Sequence, residues 1–210
     1  MKQRGWFSFR GVSVNLFGLL ITIGINSALH AQNWNLSGGL NSTKYVYINS
    51  SGAKVDYLTP ASGFHMEIAR EWPIYNVVLF DAGLNFSQFN NEGVVQNIRS
   101  TYRTDFAGLF VGAGPLIEIN DEFSFLIKAK ASVRKMIHGT QILQSDILDL
   151  SDNDQFNGVS FLPGICFEVH KVINDNMAVY LQFQHYDGSL INASRLSFVP
   201  TNISIGIKLK

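Results

Sequence analysis

The sequence predicts an all-β chain folded as an eight-stranded antiparallel, up-and-down transmembrane β-barrel behind a cleaved signal peptide. Three observations point there. Residues alternate apolar and polar with period two over most of the chain. The links between these segments alternate short and long. Only 15% of residues are charged while 12% are aromatic, and there are 18 glycines and 5 prolines, a low charge fraction for a soluble domain.

The N-terminus reads as a leader. Lys2, Arg4 and Arg10 form a positive head, LFGLLITIGI (residues 16–25) an apolar core, and Ala31 a small residue at the cut. That is the layout of a secretory signal peptide, and the core is too short for a spanning helix, which needs roughly 20 apolar residues. A single membrane anchor is the alternative. Residues 1–31 are therefore assigned to the signal peptide and 32–210 to the barrel. The mature chain holds 13 Lys+Arg against 16 Asp+Glu, a net of −3. No basic surplus points to nucleic acid. Cys166 is the single cysteine, so no intramolecular disulfide forms.

Eight strands follow in order: 34–48, 63–72, 75–89, 98–119, 123–137, 159–172, 177–186 and 196–210. Residues 73–74, 120–122 and 173–176 are hairpin-sized links. Segments 49–62, 90–97, 138–158 and 187–195 are longer, and the longest carries SDILDLSDNDQFNG. Short turns at one end and long polar loops at the other is the asymmetry of an outer-membrane barrel. Pro115, Pro163 and Pro200 fall inside these strands, where each removes a ladder donor.

The segment FSFLIKAKASVR (123–134) shows the two faces. Phe123, Phe125, Ile127, Ala129, Ala131 and Val133 share one parity. Ser124, Lys128, Lys130, Ser132 and Arg134 share the other, with Leu126 the exception. A soluble lipocalin-like barrel would point the apolar face inward; a membrane barrel points it into lipid. Three features favour the second. The polar face is crowded with Gly83, Gly108, Gly112, Gly114, Gly164 and Gly206, as a narrow lumen demands. Its charges balance: Glu67, Asp81, Glu118 and Glu168 against Lys128, Lys130, Arg134 and Lys208, a lumen charge network in which unpaired members would be costly. Trp34, Trp72 and Tyr75 stand near short-turn ends, where interface aromatics meet headgroups.

With the ALHAQ cut, the FVGAGP segment (110–115) and the terminal NISIGIKLK, the chain resembles small outer-membrane β-barrels of the eight-stranded OmpA/OmpX type. In detail it resembles the porin-like outer-membrane β-barrel domain family of Bacteroidota, which includes PorT-like proteins. The terminal Lys210 stands where proteobacterial barrels carry an aromatic. The resemblance covers residues 32–210 and implies a Gram-negative outer-membrane location, the lipid bilayer and the barrel-assembly machinery as partners, and a secretion-accessory role for the PorT-like branch.

Chemistry has little support. His65, His138, His170 and His185 show no metal-ligand spacing, and no cofactor or catalytic set is assigned. HYDGS (185–189) places His, Asp and Ser near a loop end, but neighbouring strand positions face opposite ways. The acidic tip holds Asp146, Asp149, Asp152 and Asp154 and reads as a solvated loop, with binding of a cation or a basic partner as the alternative. The expectation is a non-enzymatic barrel with a side-chain-filled lumen and long extracellular loops, in a structural, adhesive or envelope-support role. A lipid-modifying enzyme at the rim and a soluble lipocalin-like carrier are the alternatives.

Overall fold

The computed structural model describes residues 33–48, 51–55, 58–75, 77–95, 98–144, 146–151, 153, 156, 158–190 and 196–209. The signal-peptide reading of residues 1–31 lies outside them. Among the described residues the strands are β1 (Asn33–Ile48), β2 (Lys54–Val55), β3 (Leu58–Tyr75), β4 (Val78–Val95), β5 (Ile98–Glu118), β6 (Phe123–Leu143), β7 (Asp146–Asp149), β8 (Val159–Asn174), β9 (Met177–Tyr186), β10 (Ser189–Leu190) and β11 (Leu196–Leu209).

Eight of them form a closed antiparallel ring in the order β1, β3, β4, β5, β6, β8, β9, β11. Closure is made by β11 against β1, in register from Trp34 opposite Leu209 to Tyr47 opposite Leu196. A closed ring has no unpaired edge. The three short strands add on at the long-loop end: β2 on β1, β7 on β6 and β10 on β8.

The period-two pattern sets the two faces. Leu40, Leu181, Ile203 and Ile205 are more than half exposed, while Gln182, Gln184, Asn202 and Ser204 beside them are buried. Apolar chains point out of the ring and polar ones into it, the reverse of a lipocalin. In β6, Leu126 is fully buried on the same inward face as Lys128, so the one parity exception is an inward leucine. A bulge follows higher up: the β5–β6 register shifts between Asp105 and Phe106, and Ile137 and His138 both face outward.

Several expected boundaries change. β3 spans Leu58–Tyr75, so residues 58–62 of the expected 49–62 loop and the expected 73–74 link are both strand, paired along β4. Segment 90–97 is not a long loop. Val95 pairs with Ile98, and β4 and β5 run on as a hairpin because Asn91 and Gly93 continue the inward parity. Asn91 Nδ2 donates to the Thr43 carbonyl at 2.7 Å. Likewise β6 continues to Leu143, and β7 returns along it. Leu150 and Phe156 of the connection to β8 then turn inward and are buried.

The prolines are absorbed where ladders lapse. β9 ends at Tyr186, opposite Gly164 of β8, and its last pairing with β11 sets His185 opposite Thr201. Pro163 and Pro200 lie one position beyond those pairs. The Pro163 carbonyl accepts from Asp187 N at 2.9 Å and the Phe198 carbonyl from Gly188 N at 2.9 Å. Alternation puts the missing donors of Pro163 and Pro200 on that same side, where β9 no longer needs them. On β5 the pairing to β6 skips Gly114 and Pro115 and resumes at Leu116.

Candidate functional site

The interior of the ring concentrates buried polar side chains, and it is layered. Near the short-turn end, Lys128 Nζ lies 2.7 Å from Asp81 Oδ2, 3.1 Å from Glu168 Oε1 and 3.5 Å from Glu71 Oε2. These four come from β6, β4, β8 and β3, so side chains from different walls meet across the lumen. Lys208 closes onto Glu71. Glu168 also accepts from Gln182 Nε2 at 2.9 Å and holds His170 Nε2 at 2.9 Å. Gly112 keeps this layer open: a Cβ there would run into Asp81 Oδ1 and crowd Lys130 Cγ.

Above it, Lys130 Nζ donates to Glu67 Oε2 at 2.8 Å and stands 3.9 Å over the Phe110 ring. Gln184 Nε2 donates to the same Glu67 oxygen at 2.7 Å. The chain of donors continues through Asn202 Nδ2 to Gln184 Oε1 at 2.9 Å and Asn41 Nδ2 to Asn202 Oδ1 at 2.5 Å. Such linked bonds polarise one another in a dry interior.

Arg134 separates the ionic layers from an aromatic one. It is fully buried; its Nε donates to Ser132 Oγ at 2.9 Å and Nη1 to Ser87 Oγ at 2.7 Å. Its guanidinium lies 5.2 Å from the Tyr186 ring and 5.6 Å from Phe89. Toward the long loops, Phe198 packs at ring-centre distances of 4.9 Å from Tyr45, 5.2 Å from Phe106 and 5.5 Å from Phe89. Tyr45 Oη bonds the Phe89 carbonyl at 2.7 Å. Leu150 and Phe156 join this cluster from the long connection.

The sequence-assigned charges divide as follows. Glu67, Asp81, Lys128, Lys130, Arg134, Glu168 and Lys208 are all buried in the lumen. Glu118 is not among them: it is exposed at the end of β5, and an exposed carboxylate needs no buried partner. Glu71 takes its place, wholly buried two positions beyond Ala69 on the inward parity of β3. The lumen thus holds four carboxylates, Glu67, Glu71, Asp81 and Glu168, and four cations, Lys128, Lys130, Arg134 and Lys208. Arg134 has no carboxylate within ion-pair distance among the described residues; serines and ring faces surround it instead.

Of the girdle aromatics, Trp34 is exposed and Trp72 half-buried, both outward near the short-turn end, with Arg70 over the Trp72 ring at 5.4 Å. The side chain of Tyr75 lies outside the described set. In HYDGS, His185 faces outward and its Nδ1 lies 3.0 Å from Thr201 Oγ1 rather than on Asp187. Cys166 is buried, its thiol 3.4 Å from Glu168. Among the described residues no set of His, Cys, Asp and Glu is placed to hold a metal ion. Asp152 and Asp154 of the acidic tip fall outside the described residues. Asp149 accepts from Ser151 N at 2.8 Å and Oγ at 2.6 Å, bonds that hold its carboxyl below the ordinary carboxylate value.

No protein-family model matches the chain, and no curated protein is similar to it in sequence. Solved structures are similar at the level of fold. Neisserial surface protein A aligns with 12% identity over 86% of this chain and 99% of its own, at a TM-score of 0.49. The attachment invasion locus protein Ail of Yersinia pestis, in complex with the heparin analogue sucrose octasulfate, aligns with 16% identity over 86% and 100%, at 0.41. The outer membrane protease OmpT of Escherichia coli aligns with 10% identity over 85% and 96%, at 0.46.

Proposed function

We propose that this chain is an integral outer-membrane β-barrel protein, non-enzymatic, with an occluded lumen, whose activity resides in surfaces at its long-loop end. The observation that carries the reading is the inversion itself. Four cations and four carboxylates are buried inside the ring while most of the exposed side chains on its outer wall are large and apolar. A folded chain in water gains nothing from that arrangement, but one in hydrocarbon needs it. The ring also fits the bilayer. Its shortest member, β9, has 10 residues, and about 9–11 tilted residues cross the hydrocarbon core.

The ion pairs and the aromatic cluster argue against a conduit, since side chains from opposing walls occupy the bore. They argue equally against a carrier of apolar ligands, which needs an empty greasy interior. The bilayer is then the principal partner, residues 1–31 the export leader, and the barrel-assembly machinery the inserting partner. A structural, adhesive or envelope-support role suits such a scaffold; a PorT-like secretion-accessory role rests on the sequence resemblance alone.

Expression of the full chain in a Gram-negative host tests the reading. The expected result is recovery in the outer-membrane fraction, faster gel migration unboiled than boiled, and no discrete conductance steps in planar bilayers. Recovery as a soluble monomer without detergent would refute the location, and steady ohmic conductance would refute the occlusion.

A further inference from the structure

We propose that the outer wall from β1 through β6 carries a binding site for one zwitterionic glycerophospholipid. An acyl chain lies in a groove floored by Ala107, and the headgroup lies in the polar recess around Arg103 and Asp105. The inference rests on the membrane reading above. The register aligns the two parts on one wall. Going toward the long loops, the outward residues of β5 are Leu109, Ala107, Asp105, Arg103 and Thr101. On β4 the same rows hold Leu84, Phe86, Gln88, Asn90 and Glu92. Hydrocarbon-compatible chains therefore give way to charged ones within a single row, between Phe86–Ala107 and Gln88–Asp105.

The lower half is an apolar outward depression lined by Leu36, Met66, Ile68, Leu84, Phe86 and Leu109, with the small Ala107 at its upper end. The upper half is a second, polar depression immediately above it, lined by Gln88, Asn90, Arg103, Asp105, His138 and Thr140 among others. The β6 bulge shapes the junction. An extra residue there re-aims the following side chain, and His138 is delivered outward with its Nδ1 3.6 Å from Asp105 Oδ2.

The charges in the recess select the headgroup. Arg103 is exposed and has no carboxylate within ion-pair distance among the described residues. Lys135, exposed opposite Ala107 at the top of the apolar groove, is in the same position. Guanidinium and ammonium groups so placed are phosphate donors. The same recess holds Asp105, whose other oxygen accepts from Gln88 Nε2 at 3.2 Å, and Glu92, paired with Arg99 at 2.8 Å. A purely anionic headgroup would bring its charge against these two carboxylates. A phosphate-plus-ammonium headgroup meets both signs, with phosphate on Arg103 and Lys135 and ammonium on Asp105.

The test is native mass spectrometry of the full chain, purified from membranes in a mild detergent and mixed with dioleoylphosphatidylethanolamine or dioleoylphosphatidylglycerol. The expected result is one retained ethanolamine lipid, favoured over the glycerol lipid by about tenfold, the order of one charge-assisted contact. Arg103→Gln and Ala107→Trp each reduce that retention by about tenfold. Asp105→Asn shifts preference toward the glycerol lipid, which a merely structural role would not do. Lys171→Gln, outward at the opposite end over Phe123, leaves retention unchanged. Equal retention of both lipids, a glycerol-lipid preference in the unaltered chain, or variants that bind as it does would each overturn the site. Unboiled gel migration, read on the same samples, reports the barrel separately. Loss of the heat-modifiable form in the unaltered chain overturns the membrane reading instead.

Discussion

Lys128 is the most heavily loaded side chain in the lumen, and its removal gives the sharpest energetic test. Its ammonium serves three carboxylates, at 2.7, 3.1 and 3.5 Å, and its side chain is wholly buried. In Lys128→Met the three acids do not suffer equally. Glu71 keeps Lys208 and Glu168 keeps His170 and Gln182. Asp81 keeps no cation, and its Oδ1 already lacks a hydrogen-bond partner. Breaking a buried pair from one side costs about 3–5 kcal/mol because the remaining charge is stranded. The assay is reversible denaturant unfolding of the barrel in lipid vesicles, followed by tryptophan fluorescence. Asp81→Asn alone leaves Lys128 with Glu168 and Glu71 and loses less. The double variant Lys128→Met/Asp81→Asn recovers about 0.5–3 kcal/mol relative to the sum of the singles, the range for residues in direct contact. Strict additivity, with Lys128→Met below about 0.5 kcal/mol as for a surface site, would mean that water reaches these charges and that the lumen is not closed.

Phe198→Ala, at the centre of the aromatic layer, costs about 3–5 kcal/mol in the same unfolding assay. Gly206→Ala puts a Cβ into the Tyr180 ring and costs about 1–3 kcal/mol; adding Tyr180→Ala removes the clash, so the double variant loses less than the sum. For pH, Asp149 is the accessible case. Its folded value is depressed by Ser151, so the cap contributes fully above the ordinary value of 3.8 and is lost as pH falls through the lower folded value. A carboxyl NMR titration of Asp149 is expected to have its midpoint below 3.8, and Ser151→Ala to move it upward.

Much of this architecture was legible because a strand has only two faces. Once Lys128, Lys130 and Arg134 share a parity with serine while phenylalanine and valine share the other, the faces of β6 are fixed, and neighbouring strands repeat the pattern. Glu71 was equally legible, on the parity of Glu67 and Ala69, yet it yields to Glu118 if charges are only balanced along the chain. What separates them is height in the barrel, set by register, which parity does not contain. The same limit hid the aromatic layer. Tyr45, Phe89, Phe106 and Phe198 come from four strands and meet only through the stagger of the ring. The β4–β5 hairpin was misread because Asn90, Asn91 and Gly93 are turn formers by type; here the inward Asn91 bonds a carbonyl of β1 and sustains the strand. Pro163 and Pro200 look forbidden until β9 is seen to be short.

Spin labels read the central claim most directly. With Cys166 replaced by alanine, single labelled cysteines are placed along β9 from Ala178 to Gln184 in a reconstituted bilayer, and their collision rates with dissolved oxygen and with a water-soluble nickel chelate are recorded. The account predicts a period of two, in which Val179, Leu181 and Phe183 collide with oxygen and Ala178, Tyr180, Gln182 and Gln184 with neither reagent. Nickel collisions at the odd positions, or oxygen collisions concentrated at the even ones, would contradict it.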